Sequence, residues 1–369
     1  GRRYNATRVF FFNTDMAIKI LSPLNSVSEA EPLALAGADE FYCGVLPDDW
    51  KKKYSVAASL NRRQEDNPEI GTTAHLKSFG DFEETIRIAH SHKVKVSLTL
   101  NEHYYSNPQY PYLIRYIEKA LKAGADAFIA GDIAIILAIR EIDPKVKIHI
   151  STAGTAFNSE TVHFYRDLGA SRVILPRHLS LEEVGDIARA VSGIELETFI
   201  LNSRCANVDG FCTFQHGLAE FIPEKERKRN FENACMMLYK ITASVRGCSP
   251  EEGELLLQEK VSWERQHFWS AVHIDDRPCG VCALYEFEKM GLAGVKIVGR
   301  QNKPEKKIKD VAFIRKALCF LRDDKPDKKA FRQFARRLYK EQYDSPCLIF
   351  KCYYPSVLLD ETETGRGEA

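Results

Sequence analysis

The stretch ALKAGADAFIAGD (120–132) holds the end of one structural element and the whole of the next. Its first residues close an amphipathic helix, Gly124 stands where a left-handed residue ends such a helix, and AFIA has the length and apolarity of a buried strand. The same order recurs in PLALAGADEFYCG (32–44), FYRDLGASRVILP (164–176) and EFEKMGLAGVKIVG (286–299). A repeated helix–glycine–strand junction is half of a βα unit and implies a parallel sheet. Filling the gaps predicts eight strands: Ile18–Pro23, Glu40–Val45, Val94–Leu100, Ala127–Ala130, Lys147–Ser151, Arg172–Pro176, Glu197–Leu201 and Gly294–Val298. Helices over 82–92, 110–123, 132–141, 159–168 and 180–191 lie between them, the last opened by Ser180 with Glu183 three residues on, a capping-box pattern. Eight such units favour an α/β fold of the (β/α)8, TIM-like barrel type over an open doubly wound sheet.

The division that follows places a leader at 1–15, a barrel at 16–310 and a helical extension with a tail at 311–369. Inside the barrel range, a cysteine-rich insertion, 202–293, separates the seventh strand from the eighth. Lys and Arg together number 52 against 51 Asp and Glu, a net charge of +1, so no global field argues for nucleic acid or membrane. The basic runs EKERKRN (224–230) and RQNKPEKKIK (300–309) have the charge to touch phosphates, but a solvated face is the preferred reading of each. No apolar run approaches the roughly 18 residues of a membrane helix. Nothing marks the chain as secreted, so a cytoplasmic location is expected and disulfides are not.

Six of the ten cysteines lie in the insertion, beginning with RCANVDGFC (204–212). Converging thiolates suit zinc or an iron–sulfur cluster. The spacing of Cys205, Cys212, Cys235, Cys279 and Cys282 is neither a zinc ribbon nor a ferredoxin run, so metal and core readings both stand at this point. Cys319, in AFIRKALCFL, reads as core; Cys43 fits either reading; Cys347 and Cys352 are weak ligand candidates. The polar groups at strand ends form the expected pocket lining: Ser22, Asn25, Asn61, Asn101 to His103, Asp132, Ser151, Thr152, Arg177, His178, Asn202, Lys296 and Arg300. Arg177 and Arg300 have the chemistry to hold a dicarboxylate, and His178 or His103 to move protons. His149, within a strand, reads as a packed barrel histidine, and Lys296 as a partner for a barrel carboxylate. No HExxH, GxSxG or Cys–His signature of a hydrolase appears.

The order KILSPLNSVSEAEPLALAGADEFYCG (19–44), SRVILPRHLSLEEV (171–184), ELETFILNSRCANVDGFC (195–212) and GVKIVGRQ (294–301) resembles the collagenase-like peptidase family, peptidase family U-thirty-two. The likeness runs from about Ile18 to Leu321. SPLNS (22–26) and LNSRC (201–205) depart from the family pattern and leave subfamily and substrate open. The family is named for peptidase activity, but several members resemble oxygen-independent hydroxylases of tRNA uridine, rRNA cytidine or a ubiquinone precursor. Those members carry a [4Fe-4S] cluster on four cysteines and take oxygen from prephenate. By position, the resemblance implies ligands at Cys205, Cys212, Cys235 and Cys279, with Cys248 and Cys282 as spares. It therefore implies an iron–sulfur oxidoreductase acting on a small aromatic molecule or a nucleobase. The near-zero net charge favours the small molecule over RNA. A peptidase and a non-catalytic cluster-carrying subunit, paired with a paralogue as a heterodimer, are the alternatives.

Overall fold

Gly124 ends its helix with φ of +94°, and the junction glycines Gly37, Gly169 and Gly291 also lie in the left-handed region. A side chain is strained there, so the repeat read in the sequence is a set of helix stops. The aspartate of each GAD motif completes the junction. Asp39 accepts from the backbone N–H of Ile20 at 2.8 Å and Asp126 from that of Val96 at 2.8 Å, tying each strand start to its neighbour.

The computed structural model of the chain describes residues 18–54, 60–62, 66–67, 72–203, 205, 208–212, 249, 278–348 and 351–357. Eight parallel strands close a barrel: β1 (Lys19–Pro23), β2 (Glu40–Cys43), β3 (Lys95–Leu100), β4 (Ala127–Ala130), β5 (Lys147–Ile150), β6 (Arg172–Ile174), β7 (Glu195–Leu201) and β8 (Gly294–Ile297). Each pairs with its neighbours in sequence order, and β1 closes the ring by pairing with both β2 and β8. Around it run α1 (Ala30–Leu35), α2 (Asp48–Tyr54), α3 (Phe79–Ser91), α4 (Tyr110–Lys122), α5 (Ile133–Ile142), α6 (Ser159–Asp167), α7 (Leu181–Ala190) and α8 (Leu284–Met290). The capping box is present: Ser180 Oγ accepts from Glu183 N at 3.2 Å, and Glu183 accepts from Ser180 N at 2.7 Å. A two-residue strand pair, Asp66–Asn67 with Thr72–Thr73, lies outside the barrel.

Helix α9 (Pro304–Asp323) packs on β1 and α1, the place of the eighth barrel helix, so the division expected at 310 falls inside it. Helix α10 (Lys328–Tyr343) packs on α9. Cys319 is exposed on α9, against the core expected for it. Val311, Ile314, Leu318 and Leu321 set the buried stripe, and one residue beyond Leu318 turns about 100° away from it. The expected leader, residues 1–15, lies outside the described residues.

The barrel interior is charged rather than aliphatic. Strand register places Arg172 beside Glu195 and His149, and Ile174 beside Glu197. From β6, the Arg172 guanidinium reaches across to Glu40 on β2 with bonds of 2.7 and 2.9 Å, and donates to Glu197 at 2.9 Å and Glu195 at 2.7 Å. Lys296 pairs with Glu197 at 3.8 Å, the partner type expected for it, and lies 3.9 Å over the Tyr42 ring. His149 is packed and buried as expected, and burial together with the Arg172 charge holds its ring neutral.

Burial pushes the Lys296 ammonium down to about 8, Glu197 opposing the shift. A lysine whose folded pKa lies below its unfolded value of 10.5 binds fewer protons folded than unfolded between those two values. Stability is therefore expected to rise as pH climbs from about 8 toward 10.5. Urea midpoints across that window should show the slope, and Lys296→Met should flatten it.

Candidate active site

The ends of the strands leading into the longest connections define the barrel mouth, where side chains from distant segments meet. Segment 60–62 lies over β3. Tyr105 Oη donates to the Leu60 carbonyl at 2.8 Å, and Arg62 N donates to Asn101 Oδ1 at 3.3 Å. The Arg62 guanidinium extends over β5, donating to Thr152 Oγ1 at 2.7 Å and to the Cys212 sulfur at 3.6 Å. His103, just past β3, bonds Glu102 Oε1 through Nδ1 at 2.9 Å and also interacts with the Cys212 side chain. Burial lowers the His103 pKa, but Cys212 and Glu102 outweigh it and raise it to about 9. Arg300, past β8, crosses to Thr99 Oγ1 on β3 at 3.2 Å and is buried.

Arg177 is committed to the cysteine loop. Its backbone N, Nε and Nη2 donate to the Asp209 carboxylate at 2.8, 2.9 and 2.6 Å, and Nη1 to the Ser203 carbonyl at 2.7 Å. Asp209 is fully buried, and although burial opposes ionisation, the guanidinium holds its carboxyl far below the usual carboxylate range. The same guanidinium faces Cys205 electrostatically. Arg177 thus positions the cysteine loop, whereas the sequence suggested a substrate clamp. His178 is exposed, and its Nδ1 accepts from Asp209 N at 3.3 Å.

The turn between the two cysteines is tight: Phe211 N donates to the Val208 carbonyl at 2.9 Å, and Gly210 has φ of +86°. A Cβ on Gly210 would stand 2.4 Å from Thr155 Cγ2 and 2.5 Å from the Thr152 carbonyl oxygen. Gly210→Ala is therefore expected to displace the loop from β5 and, under the iron–sulfur reading proposed below, to halve metal loading or worse, with the melting temperature of the barrel little changed. Metal analysis beside thermal denaturation checks both.

Other expected lining residues have structural tasks. Asp132 caps α5, accepting from Ile135 N at 3.0 Å. Ser151 caps the turn after β5. Asn25 accepts from Lys307 and donates to the Thr73 carbonyl. Asn202 donates to Asp310 at 2.7 Å and accepts from Lys306 at 2.6 Å. Arg62 and Asp209 were not legible as site residues: they lie in irregular segments whose partners are remote in sequence.

Cys205 and Cys212 both stand half-buried at the mouth. Cys235 and Cys248 lie outside the described residues. Cys279 bridges Leu201 and Cys352 through its backbone, and its nearest thiol influences are Cys282, Cys352 and Cys347. Burial first, and those thiols next, push it well above its ordinary value. The two terminal cysteines thus come to Cys279 only in three dimensions. Cys43 is a buried strand-end thiol, pushed up by burial to about 12. Among the described residues no three His, Cys, Asp or Glu side chains are grouped to hold a metal ion.

The model of Peptidase family U32 matches residues 25–354. The chain belongs to peptidase family U32. It is 28% identical over 225 residues to tRNA hydroxylation protein P of Escherichia coli (strain K12), a match over 60% of this chain and 44% of that protein. The 23S rRNA 5-hydroxycytidine C2501 synthase of the same organism is 26% identical over 54% of this chain and 26% of its own length. The chain thus spans less than half the length of these relatives. The solved U32 peptidase Mk0906 overlays 79% of this chain and 96% of its own, with TM-score 0.46 and 14% identity.

These relatives are named for chemistry on tRNA and rRNA, which overturns the preference for a small-molecule substrate. That preference rested on net charge, an average over the whole surface. Phosphate contacts depend on local cations, and a balanced chain still offers them. Among the described residues of this U32 member, no helix is long and apolar enough to cross a membrane.

Proposed function

We propose that this chain is the barrel module of an RNA nucleobase hydroxylase that works without molecular oxygen. One observation carries the reading. Two insertion thiols stand at the barrel mouth, each in the field of a cation: Cys212 accepts from Arg62 and feels His103, and Cys205 feels the Arg177 charge. A guanidinium or imidazolium beside a sulfur favours thiolate and balances the negative charge of a thiolate-bound cluster. The donor set at these two positions fits an iron–sulfur group. Cys235 and Cys279 are the further ligands the family pattern supplies, and a [4Fe-4S] cluster there would supply electron transfer beside the bound base. Arg300 has the charge and position to hold a carboxylate of an oxygen donor such as prephenate.

Anaerobic purification followed by iron and sulfide analysis tests the cluster. Incubation with unmodified tRNA and rRNA plus prephenate, read by nucleoside mass spectrometry, tests the reaction. A nucleoside heavier by one oxygen atom, absent when prephenate is left out, is the expected product. An iron-free protein after reconstitution, or unmodified RNA, overturns the reading.

A second reading has its own observation. Cys212, His103 and Glu102 follow one another as nucleophile, base and orienting carboxylate do in cysteine hydrolases. It predicts peptide cleavage that survives Cys205→Ser and is lost in Cys212→Ala.

A further inference from the structure

We propose that Asn61 reads the hydrogen-bonding edge of an unstacked pyrimidine of RNA at the barrel mouth; this rests on the RNA reading above. Asn61 is fully buried, yet among the described residues neither its amide nitrogen nor its amide oxygen has a hydrogen-bond partner. A buried amide with donor and acceptor both unused is costly, and the cost is recovered when a ligand occupies both. Its position is the mouth itself. A Cβ built on Gly44 would stand 3.0 Å from Asn61 Nδ2, 2.9 Å from Arg300 Nη1 and 2.4 Å from His75 Nδ1. The missing side chain at Gly44 is what lets the three nitrogens gather there.

The chemistry of the amide selects the ligand. A side-chain amide offers N–H donors beside a carbonyl acceptor, the pattern that pairs with two adjacent groups on a base edge. Uridine presents an N3–H donor beside the O4 acceptor, and cytidine an N3 acceptor beside an N4 amino donor. Rotating the amide by half a turn matches either. An enzyme that modifies a base takes it out of its stack into such a pocket. The rim suits the flanking bases: Phe211 is 60% exposed, with its ring centroid 6.0 Å from that of Phe157, and Tyr104 is 54% exposed. Exposed aromatic rings beside a nucleic-acid pocket are stacking platforms.

The experiment measures binding of short adenosine oligomers carrying one central uridine, cytidine or abasic position to the anaerobically purified full chain. Native protein should bind both pyrimidine oligomers tighter than the abasic one, on the order of tenfold or more. Asn61→Leu should erase that margin while the melting temperature holds or rises, because the variant removes an unsatisfied amide and keeps the branched outline of the side chain. Asn61→Asp, which only accepts, should keep part of each margin, because it still accepts from uridine N3–H or the cytidine N4 amino group but no longer donates to O4 or N3. Native protein with no pyrimidine margin overturns the RNA reading and this inference with it. A margin kept in Asn61→Leu, or a clear fall in that variant's melting temperature, overturns the inference alone, since Asn61 would then be a structural amide.

Discussion

Cys205→Ser protein is expected to come off the column with little iron and to yield no hydroxylated nucleoside. Removing a ligand's own hydrogen-bond partner already costs metal sites roughly 10- to 100-fold, and losing the ligand costs more. The change should spare the fold, because Cys205 is only partly buried and its loop is held by Arg177 through Asp209 and Ser203. Circular dichroism and melting temperature should match the native protein. The same variant separates the two readings. Loss of both iron and RNA product supports the hydroxylase, full iron content removes Cys205 from the ligand set, and peptide cleavage unchanged by the substitution supports the Cys212–His103–Glu102 hydrolase.

Arg172→Met should destabilise the barrel by about 3–5 kcal/mol, the usual cost of removing one partner from a buried ion group. Arg172 is 1% exposed and serves three carboxylates at once. Without it, Glu40 and Glu197 face each other inside the barrel with only Lys19 and Lys296 to offset them. The deficit should shrink as pH falls. Burial already raises Glu197 above its ordinary value, and Arg172 is what holds Glu40 below its own against burial, so losing the guanidinium shifts both upward and protonation on acidification is expected to relieve the variant. Adding Glu40→Gln and Glu197→Gln to Arg172→Met should restore much of the loss, because a buried charge group removed as a unit leaves no lone charge. Urea denaturation of the single and triple variants at two pH values decides it; equal stability of Arg172→Met and native protein would mean the network is solvated.

The eight strands were legible to within one or two residues because four junctions carry their own local signals, an amphipathic helix, a left-handed glycine and an apolar run, and the remaining strands show as apolar runs in the gaps between them. Gly124, Asp126 and the strand after them act within a dozen residues, and local sterics enforce them. Helix α9 was cut at 310 because its charged first turn, PEKK, looked like surface, while its role as eighth helix depends on β1 and α1, nearly three hundred residues earlier. Arg177 and Arg300 looked alike in sequence, each just past a strand. Asp209 engages the first in three bonds, while Arg300 stays at the mouth beside Thr99.

The sequence by itself determined the parallel barrel, the place of the insertion at the C-terminal end of β7 and the family. These follow from periodicity and from residue types whose backbone preferences act locally. Tertiary structure alone decided which groups meet: Cys212 with Arg62 and His103, Asn61 with His75 and Arg300 beside Gly44, and Cys279 with Cys352. Such contacts join segments far apart in sequence, 150 residues between Arg62 and Cys212 and more between Asn61 and Arg300. Closing the barrel brings all eight strand ends to one rim, and no local pattern records which side chains face each other across it.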